Sequence, residues 1–317
     1  MSEKTMYFAN FNITFGKKEE PMLEYFEDAI FPAFTKGYFR GKEGEYPQYS
    51  FQNVSIKLID NEYVLAGNYV KNTRYEVYTA LKDGELIDAR SDVPTAPYSR
   101  FIIFLKNHRM VLVKNEIGSP DIRSFQRTVR NILQQHCRKR RKLEGKKDFP
   151  SASVNIVDIP SKEQLQDQLK DVAKIERMKI RMFPLNNDLD ATPILQDMRD
   201  TMNKLGCKTA STIMNSPNKK EGICGFVDSS SGLAEITLEV KESDGSKKKI
   251  KNHNFSTSKK IPIAENIAPH MDEYLVVQAK KDQAVLVQSP ENVKTYESKK
   301  GVLDKLFDFL VEYGGEI

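Results

Sequence analysis

Arginines recur at helical spacing along one stretch of the sequence. Successive members are separated by 4, 3, 8 and 3 residues: Arg123, Arg127, Arg130, Arg138 and Arg141. At about 100° per residue they share one side of a helix, roughly 140° from an apolar cluster of Ile122, Phe125, Val129, Ile132 and Leu133. An arginine guanidinium binds phosphate oxygens through two parallel hydrogen bonds. The pattern therefore predicts a helix that packs through one face and presents the other face to phosphates.

Positive charge is concentrated around this helix. Residues 100–147 carry 14 positive and 3 negative side chains, a net charge of +11, whereas the whole chain of 317 residues carries +5. The rest of the chain therefore has a net charge of −6. A distribution this uneven favours a polyanionic partner. The predicted nucleic-acid-binding residues are Arg109, Arg123, Arg127, Arg130, Arg138, Lys139, Arg140, Arg141 and Lys142.

The same cations have two other interpretations. Arg138 to Lys142 lie at the C-terminal end of the helix, where cations interact favourably with the helix dipole and need no ligand. The arginine face could also bind an acidic partner subunit or a second copy of the chain. A lysine-rich stretch near Asp244 either extends the binding surface or keeps a hairpin solvated: Lys247, Lys248, Lys249, Lys251, Lys259 and Lys260.

Two weaker patterns concern catalysis. Arg130 and His136 resemble the Arg-x(4–6)-His pair of HEPN-type ribonucleases, in which arginine stabilises phosphate charge and histidine moves protons without a metal. HEPN domains are all-helical, however, and helical geometry places His136 near the apolar edge, so a packed histidine is the favoured interpretation. Asp228, Glu239 and Lys241 resemble part of a metal-dependent nuclease, but the alternation around Glu239 equally predicts an exposed strand face. No catalytic residue is assigned, and whether the protein is an enzyme stays open.

Several function classes lack their sequence signatures. The chain contains no Cys-x-x-Cys, Walker, Gly-x-Gly-x-x-Gly or Gly-x-Ser-x-Gly motif, so no metal and no cofactor is predicted. Cys137, Cys207 and Cys224 form an odd and widely spaced set, typical of free thiols in a reducing cytosol. Apolar runs are far shorter than the ~20 residues of a membrane helix, and the N-terminus lacks a secretory signal pattern. A cytoplasmic protein without a membrane anchor is expected.

Hydrophobic periodicity predicts the elements that position the arginine helix. Strand patterns occupy residues 7–15, 50–59, 63–70 and 74–81, a helix begins near residue 20, and residues 100–105 and 109–113 form a hairpin. The arginine helix is predicted to begin at Ser119-Pro120-Asp121, with Ser119 as its N-cap, and to end before Gly145. Together these elements predict a first domain over residues 1–147.

A second domain is predicted over residues 151–317, after a linker at 145–150. Strand patterns at 154–159, 177–183 and 208–214 alternate with helices that open at Ser161 and span 193–205. A hairpin at 233–240 and 249–255 and a helix at 302–311 follow, and residues 262–300 have no clear pattern. The fold class is therefore α+β: two domains of mainly antiparallel sheet with packed helices, with ferredoxin-like units as one arrangement.

Two segments resemble an uncharacterised family of bacterial proteins found near antiviral defence genes. The first is Tyr-Ser-Arg-Phe-Ile-Ile-Phe-Leu-Lys-Asn-His-Arg-Met-Val-Leu-Val at 98–113, and the second is Asn-Ser-Pro-Asn-Lys-Lys-Glu-Gly-Ile at 215–223. The order of elements, from the N-terminal strand and helix to the late hairpin, is also similar. The resemblance implies a bacterial cytosolic protein involved in phage defence and supplies no catalytic residue.

The leading hypothesis is a nucleic-acid-binding protein, linked to phage defence, that contacts phosphates through the arginine face of helix 120–143. Such contacts give affinity without sequence information, so DNA and RNA both stay open. One alternative is a nuclease, either metal-independent through Arg130 and His136 or metal-dependent. The other is an interaction protein whose basic helix binds an acidic partner subunit or a second copy.

Overall fold

The larger of two sheets is organised around the first strand. The computed structural model describes residues 2–143, 145, 147–186, 192–264 and 267–312. The first strand buries Phe11, Ile13 and Phe15 as its alternation predicts, yet Asn10 and Asn12 on the opposite face are buried as well. Both faces of this strand are therefore covered by other parts of the protein.

Fourteen strands lie in the described part of the chain. They are β1 (Ser2–Phe15), β2 (Glu20–Pro21), β3 (Phe39–Arg40), β4 (Gln48–Ile59), β5 (Glu62–Lys82), β6 (Glu85–Thr95), β7 (Tyr98–Phe104), β8 (Arg109–Lys114), β9 (Ala152–Asp158), β10 (Val172–Met182), β11 (Ala210–Asn215), β12 (Glu235–Glu242), β13 (Lys247–Lys251) and β14 (Ser258–Ile263). The larger sheet has the order β14-β1-β8-β7-β5-β4-β3, with β2 and β9 also on β1 and β6 on β5. The smaller sheet has the order β11-β10-β12-β13.

Eight α-helices accompany these strands among the described residues. They are α1 (Phe31–Thr35), α2 (Ile122–Arg141), α3 (Lys162–Gln168), α4 (Pro193–Leu205), α5 (Lys220–Ser229), α6 (Met271–Ala279), α7 (Gln283–Leu286) and α8 (Pro290–Glu312). Helix and strand make up 35% and 40% of the structure, so the predicted α+β class is confirmed. None of the helices that the structure describes is both long enough and apolar enough to cross a membrane.

One neighbour of β1 is a strand in two pieces. On the side of β1 away from β8, β9 pairs with residues 9–15 and β14 pairs with residues 2–7, both antiparallel. The pieces meet at Phe8, whose backbone N–H donates to Thr257 and whose carbonyl accepts from Ile159 at 3.0 Å. A bridge between Pro160 and Ser256 closes the gap. Residues 159–257, between β9 and β14, therefore form an insertion that leaves and re-enters the larger sheet at one point.

The insertion is built on the smaller sheet. Its apolar faces pack with α3, α4 and α5 around a separate core that includes Leu165, Ile180, Leu195, Val227 and Leu238. The alternation of β10 is typical of a half-buried strand, since Met178, Ile180 and Met182 are buried whereas Lys179 and Arg181 are exposed.

The predicted boundary at residues 147 and 151 does not follow this packing. β9 and β14 belong to the larger sheet, and the helices after residue 270 pack back on it. Tyr296 and Leu303 of α8 lie in the core with α2, while Leu275 and Val276 of α6 cover the other face of the sheet. Strand pairing between distant segments leaves no local signal, so sequence periodicity could not locate the insertion.

Helix α2 is fixed by an aromatic core. Phe125 is fully buried, with its ring 5.2 to 5.3 Å from the rings of Phe51, Tyr69 and Phe101. The Tyr69 hydroxyl forms 2.8 Å hydrogen bonds with the hydroxyls of Ser124 and Thr128 on the same side of the helix. These contacts fix the rotation of α2 about its own axis. This rotation determines where the arginines on the other side of the helix lie.

The helix begins two residues later than the sequence predicts. Asp121 is the N-cap, and its carboxylate accepts from the backbone N–H of Ser124 at 2.8 Å. Ser119 instead accepts from the backbone N–H of Glu116 and closes the preceding turn. Both residue types are good caps, and the carboxylate adds a favourable charge at the helix N-terminus.

Truncating the central ring tests this anchoring. We expect Phe125→Ala to lower the free energy of unfolding by about 3–5 kcal/mol, because it removes a fully buried ring and leaves a cavity. Tyr78→Ala is the matched control, since Tyr78 is 58% exposed on β5 and should change stability by less than ~0.5 kcal/mol. Urea unfolding of both variants measures the difference, and equal effects would contradict the anchoring role.

Candidate nucleic-acid interface

The arginine side of α2 faces β9 and, beyond it, the inserted sheet. Arg130 donates to the backbone carbonyl of Val154 at 2.9 Å. Arg141 donates to the carbonyl of Phe149 at 2.6 Å and to the Ser151 hydroxyl. These bonds attach the helix to the segment that enters β9, so the arginines line the space between α2 and the insertion.

Two clefts follow one another along this space. The wide cleft, about 1020 Å³, lies between the C-terminal half of α2 and the ends of β10 and β11. Seven cations and three acids line it: Lys17, Lys18, Arg130, Arg141, Lys147, Arg181 and Lys208, against Glu19, Glu20 and Asp148. The wide cleft is thus strongly positive, and its cations come from both the larger sheet and the insertion.

The narrow cleft, about 230 Å³, continues along the N-terminal half of α2. Arg123 and Arg127 lie on one side of it, and Lys251 and His253 lie on the side formed by the insertion. An ion pair of 2.9 Å between Arg181 of the wide cleft and Glu235 of the narrow cleft joins the two. The two clefts together are termed the arginine groove.

The groove brings together four of the nine predicted binding residues: Arg123, Arg127, Arg130 and Arg141. Arg138, Lys139 and Lys142 are exposed near the end of α2, outside both clefts. Arg140 forms an ion pair with Asp28 and lies 5.4 Å from the centre of the Phe149 ring. These four residues at the end of the helix therefore do not line the groove.

Arg109 lies inside the protein rather than on the binding surface. It is 1% exposed, and its guanidinium donates to the backbone carbonyl of Ser231 in the insertion at 2.8 Å. The neighbouring His108 is also buried, and burial followed by the charge of Arg109 lowers its pKa to about 3. The polar hairpin turn expected from the sequence is covered by the insertion, so Arg109 joins the two units and is not available to phosphates.

His136 does not form a site with Arg130. Its ring is buried, with Nε2 2.9 Å from the Asp28 carbonyl and Nδ1 3.4 Å from the Tyr38 hydroxyl. Burial lowers the pKa of this histidine. Arg130 is exposed on the other side of the helix. The packed-histidine interpretation is therefore confirmed, and the Arg130/His136 ribonuclease pair is not assembled.

The lysine-rich strand and the acids beside it neutralise each other. Glu239 lies 2.9 Å from Lys249 and 3.5 Å from Arg177, and the bond to Lys249 lowers its pKa. Lys247 and Lys248 pair with Glu176 and Glu242 in the same way. In the described ranges no three His, Cys, Asp or Glu side chains are grouped so that they could hold a metal ion. The acids of β12 therefore form a solvated ion-pair surface.

A third and smaller space, the Asp158 pocket, opens beside the narrow cleft at the start of α2. It has a volume of about 190 Å³. Asp158 at the end of β9 is 8% exposed, and burial raises the pKa of its carboxyl to about 6. A hydrogen bond from its own backbone N–H and the charge of Arg123 oppose this rise, whereas Asp121 adds to it. Sequence patterns missed this residue because its environment is created by the insertion.

Comparisons with protein-family models, with curated proteins and with solved structures give no match for this chain. A function for the arginine groove therefore rests on its own geometry and charge.

Replacing Asp158 by asparagine tests whether burial raises the pKa of this carboxyl. Because the folded-state pKa of about 6 lies above the value of 3.8 for a free side chain, the folded protein holds the extra proton between these pH values. Its stability then falls as the pH rises through this window, by up to roughly 3 kcal/mol from this group. Asp158→Asn should match the wild type at about pH 4 and exceed it at about pH 8.

Urea unfolding at both pH values measures this difference. Asp200→Asn, at an exposed position of α4, is the control and should show no such change between the two pH values. A stability difference for Asp158→Asn that is the same at both pH values would contradict the raised pKa.

Proposed function

We propose that this protein binds nucleic acid in the arginine groove, through the phosphate backbone. The observation that carries the proposal is the type of acceptor that the groove arginines contact. Arg130 and Arg141 donate to carbonyl and hydroxyl oxygens, which are neutral and leave the arginine charge uncompensated. Arg127 is exposed and has no hydrogen-bond or ion-pair partner among the described residues. Uncompensated cations in a concave surface attract polyanions.

The length of the groove suits a nucleic-acid strand. Arg123 and Arg141 are 18 residues apart, which is about 27 Å along a helix. This distance equals the rise of roughly eight stacked nucleotides. A groove that offers cations from two walls along this length can contact consecutive phosphates without reading the bases.

The biological setting is part of the same proposal. The segments at 98–113 and 215–223 resemble bacterial proteins encoded near antiviral defence genes. The first of these segments contains β7 and β8, whose hairpin turn holds Arg109 against the insertion. A protein that binds nucleic acid without sequence preference suits a role in phage defence, because phage sequences vary.

Reversing the charge of three groove arginines tests the proposal. Wild-type protein should bind labelled single-stranded RNA or DNA with an affinity that falls with salt, at a log–log slope near −3 if about four phosphates are contacted. Arg123→Glu, Arg127→Glu and Arg130→Glu together should weaken binding at least 100-fold and flatten the slope to below about 1 in magnitude. Fluorescence anisotropy over a series of KCl concentrations measures both quantities.

The control carries the same change in net charge. Lys294, Lys300 and Lys305 are exposed on α8, outside the groove, and replacing all three by glutamate should alter the affinity less than threefold. Wild-type binding to neither polymer, or equal losses in both triple variants, would overturn the proposal.

A further inference from the structure

The Asp158 pocket gathers titratable side chains from five separate elements. Tyr7 comes from β1, Lys114 from β8, Asp121 and Arg123 from the start of α2, Asp158 from β9, and His253 from the turn after β13. Arg123, Asp158 and His253 also line the narrow cleft. A strand bound in the arginine groove would therefore pass directly over this pocket.

His253 and Arg123 form the closest contact in the pocket. Nε2 of His253 lies 3.4 Å from Nη1 of Arg123. Because a guanidinium can only donate, this geometry places a lone pair on Nε2 and the histidine proton on Nδ1. Burial, then the charges of Arg123 and Lys251, lower the pKa of His253, while Asp121 opposes them. His253 is therefore a neutral base at pH 7, and its Nε2 lone pair faces the guanidinium of Arg123.

Asp158 supplies a carboxylic acid that complements the base His253. Its side chain lines the pocket although the residue is 92% buried, and the carboxyl accepts a hydrogen bond from the backbone N–H of Asp158 itself. Near pH 6 about half of the Asp158 carboxyls carry a proton, because burial raises their pKa to about 6. A neutral histidine and a carboxylic acid beside an arginine are the groups that general acid–base cleavage of a phosphodiester uses without a metal.

We infer that the Asp158 pocket cleaves RNA bound in the arginine groove, with His253 as general base, Asp158 as general acid and Arg123 on the phosphate. The inference rests on the proposed nucleic-acid binding and assigns a reaction to the same groove. Sequence spacing offered an Arg130/His136 pair on one helix as the less favoured interpretation, whereas the fold brings Arg123 close to a histidine 130 residues away.

The reaction needs no reactant besides RNA. Arg123 moves from His253 to the phosphate oxygens, and Nε2 of His253 takes the proton of the ribose 2′-hydroxyl. The 2′ oxygen forms a bond to the adjacent phosphorus while the bond from phosphorus to the 5′ oxygen breaks. Asp158 gives its proton to the departing 5′ oxygen. The products are a 2′,3′-cyclic phosphate and a 5′-hydroxyl end, and the proton on His253 returns to Asp158 through solvent.

The dependence on pH follows from the groups that face the pocket. Above about pH 6 the Asp158 carboxyl loses its proton, and at low pH His253 gains one, so kcat/KM should fall on both sides of a maximum, with the alkaline fall centred near pH 6. Arg123 favours the ionised carboxyl and the neutral imidazole, Lys251 favours the neutral imidazole, and Asp121 opposes both effects. Lys114 and Tyr7 also line the pocket. DNA lacks the 2′-hydroxyl nucleophile and should stay intact at every pH.

Cleavage and binding are measured side by side on one mixed-sequence single-stranded oligonucleotide, as RNA, as DNA and as 2′-O-methyl RNA, with EDTA present. Wild-type protein should bind all three and cut only the RNA, leaving cyclic phosphate ends. Asp158→Asn and His253→Gln should each slow cleavage at least about 100-fold and change binding less than threefold. His270→Ala, at an exposed position outside the groove, should cut like the wild type.

The outcomes distinguish the inference of RNA cleavage from the proposal of nucleic-acid binding. RNA that is bound and stays intact near pH 6, or is cut equally well by His253→Gln, overturns the catalytic inference and leaves the binding proposal standing. Failure to bind any of the three oligonucleotides overturns both. Because Asp158→Asn removes an unfavourable buried charge, a loss of cleavage in this variant cannot be attributed to unfolding.

Discussion

The pairing of β1 along its full length is the constraint on which the rest of the structure depends. β8 pairs with residues 6–10 on one edge of β1, and the other edge needs partners for both halves, which β9 and β14 provide. An unpaired half would leave buried backbone groups without hydrogen bonds, at a cost of about 1–3 kcal/mol each. The insertion must therefore leave and return beside Phe8, next to the start of α2.

This placement creates the groove and its charge. The aromatic core around Phe125 sets the rotation of α2, and the insertion supplies the opposite wall with Arg181, Lys208 and Lys251. Acids of β10 and β12 are paired with lysines of β13. In the groove, Arg181 pairs with Glu235, whereas Arg130 and Arg141 contact neutral acceptors. The same junction buries Asp158 beside Arg123 and His253, so binding surface and pocket have one structural origin.

Local features of the fold were predictable from sequence, and long-range ones were not. The two faces of α2 follow from helical periodicity, and its predicted apolar residues Ile122, Phe125, Val129, Ile132 and Leu133 are all buried. Arg109 looked like a surface cation because a hairpin turn is polar by type, and the insertion that buries it is distant in sequence. For the same reason His253 gave no signal, since its proximity to Arg123 exists only in the folded chain.

The most direct test of the two-walled groove is lysine footprinting with bound RNA. Acetylation followed by mass spectrometry reports which lysines a ligand covers. Lys17, Lys147, Lys208 and Lys251 are exposed and lie on both walls of the groove, so RNA should protect all four, while Lys294, Lys300 and Lys305 of α8 react as in the free protein. Protection confined to one wall, or found on α8 instead, would contradict the account.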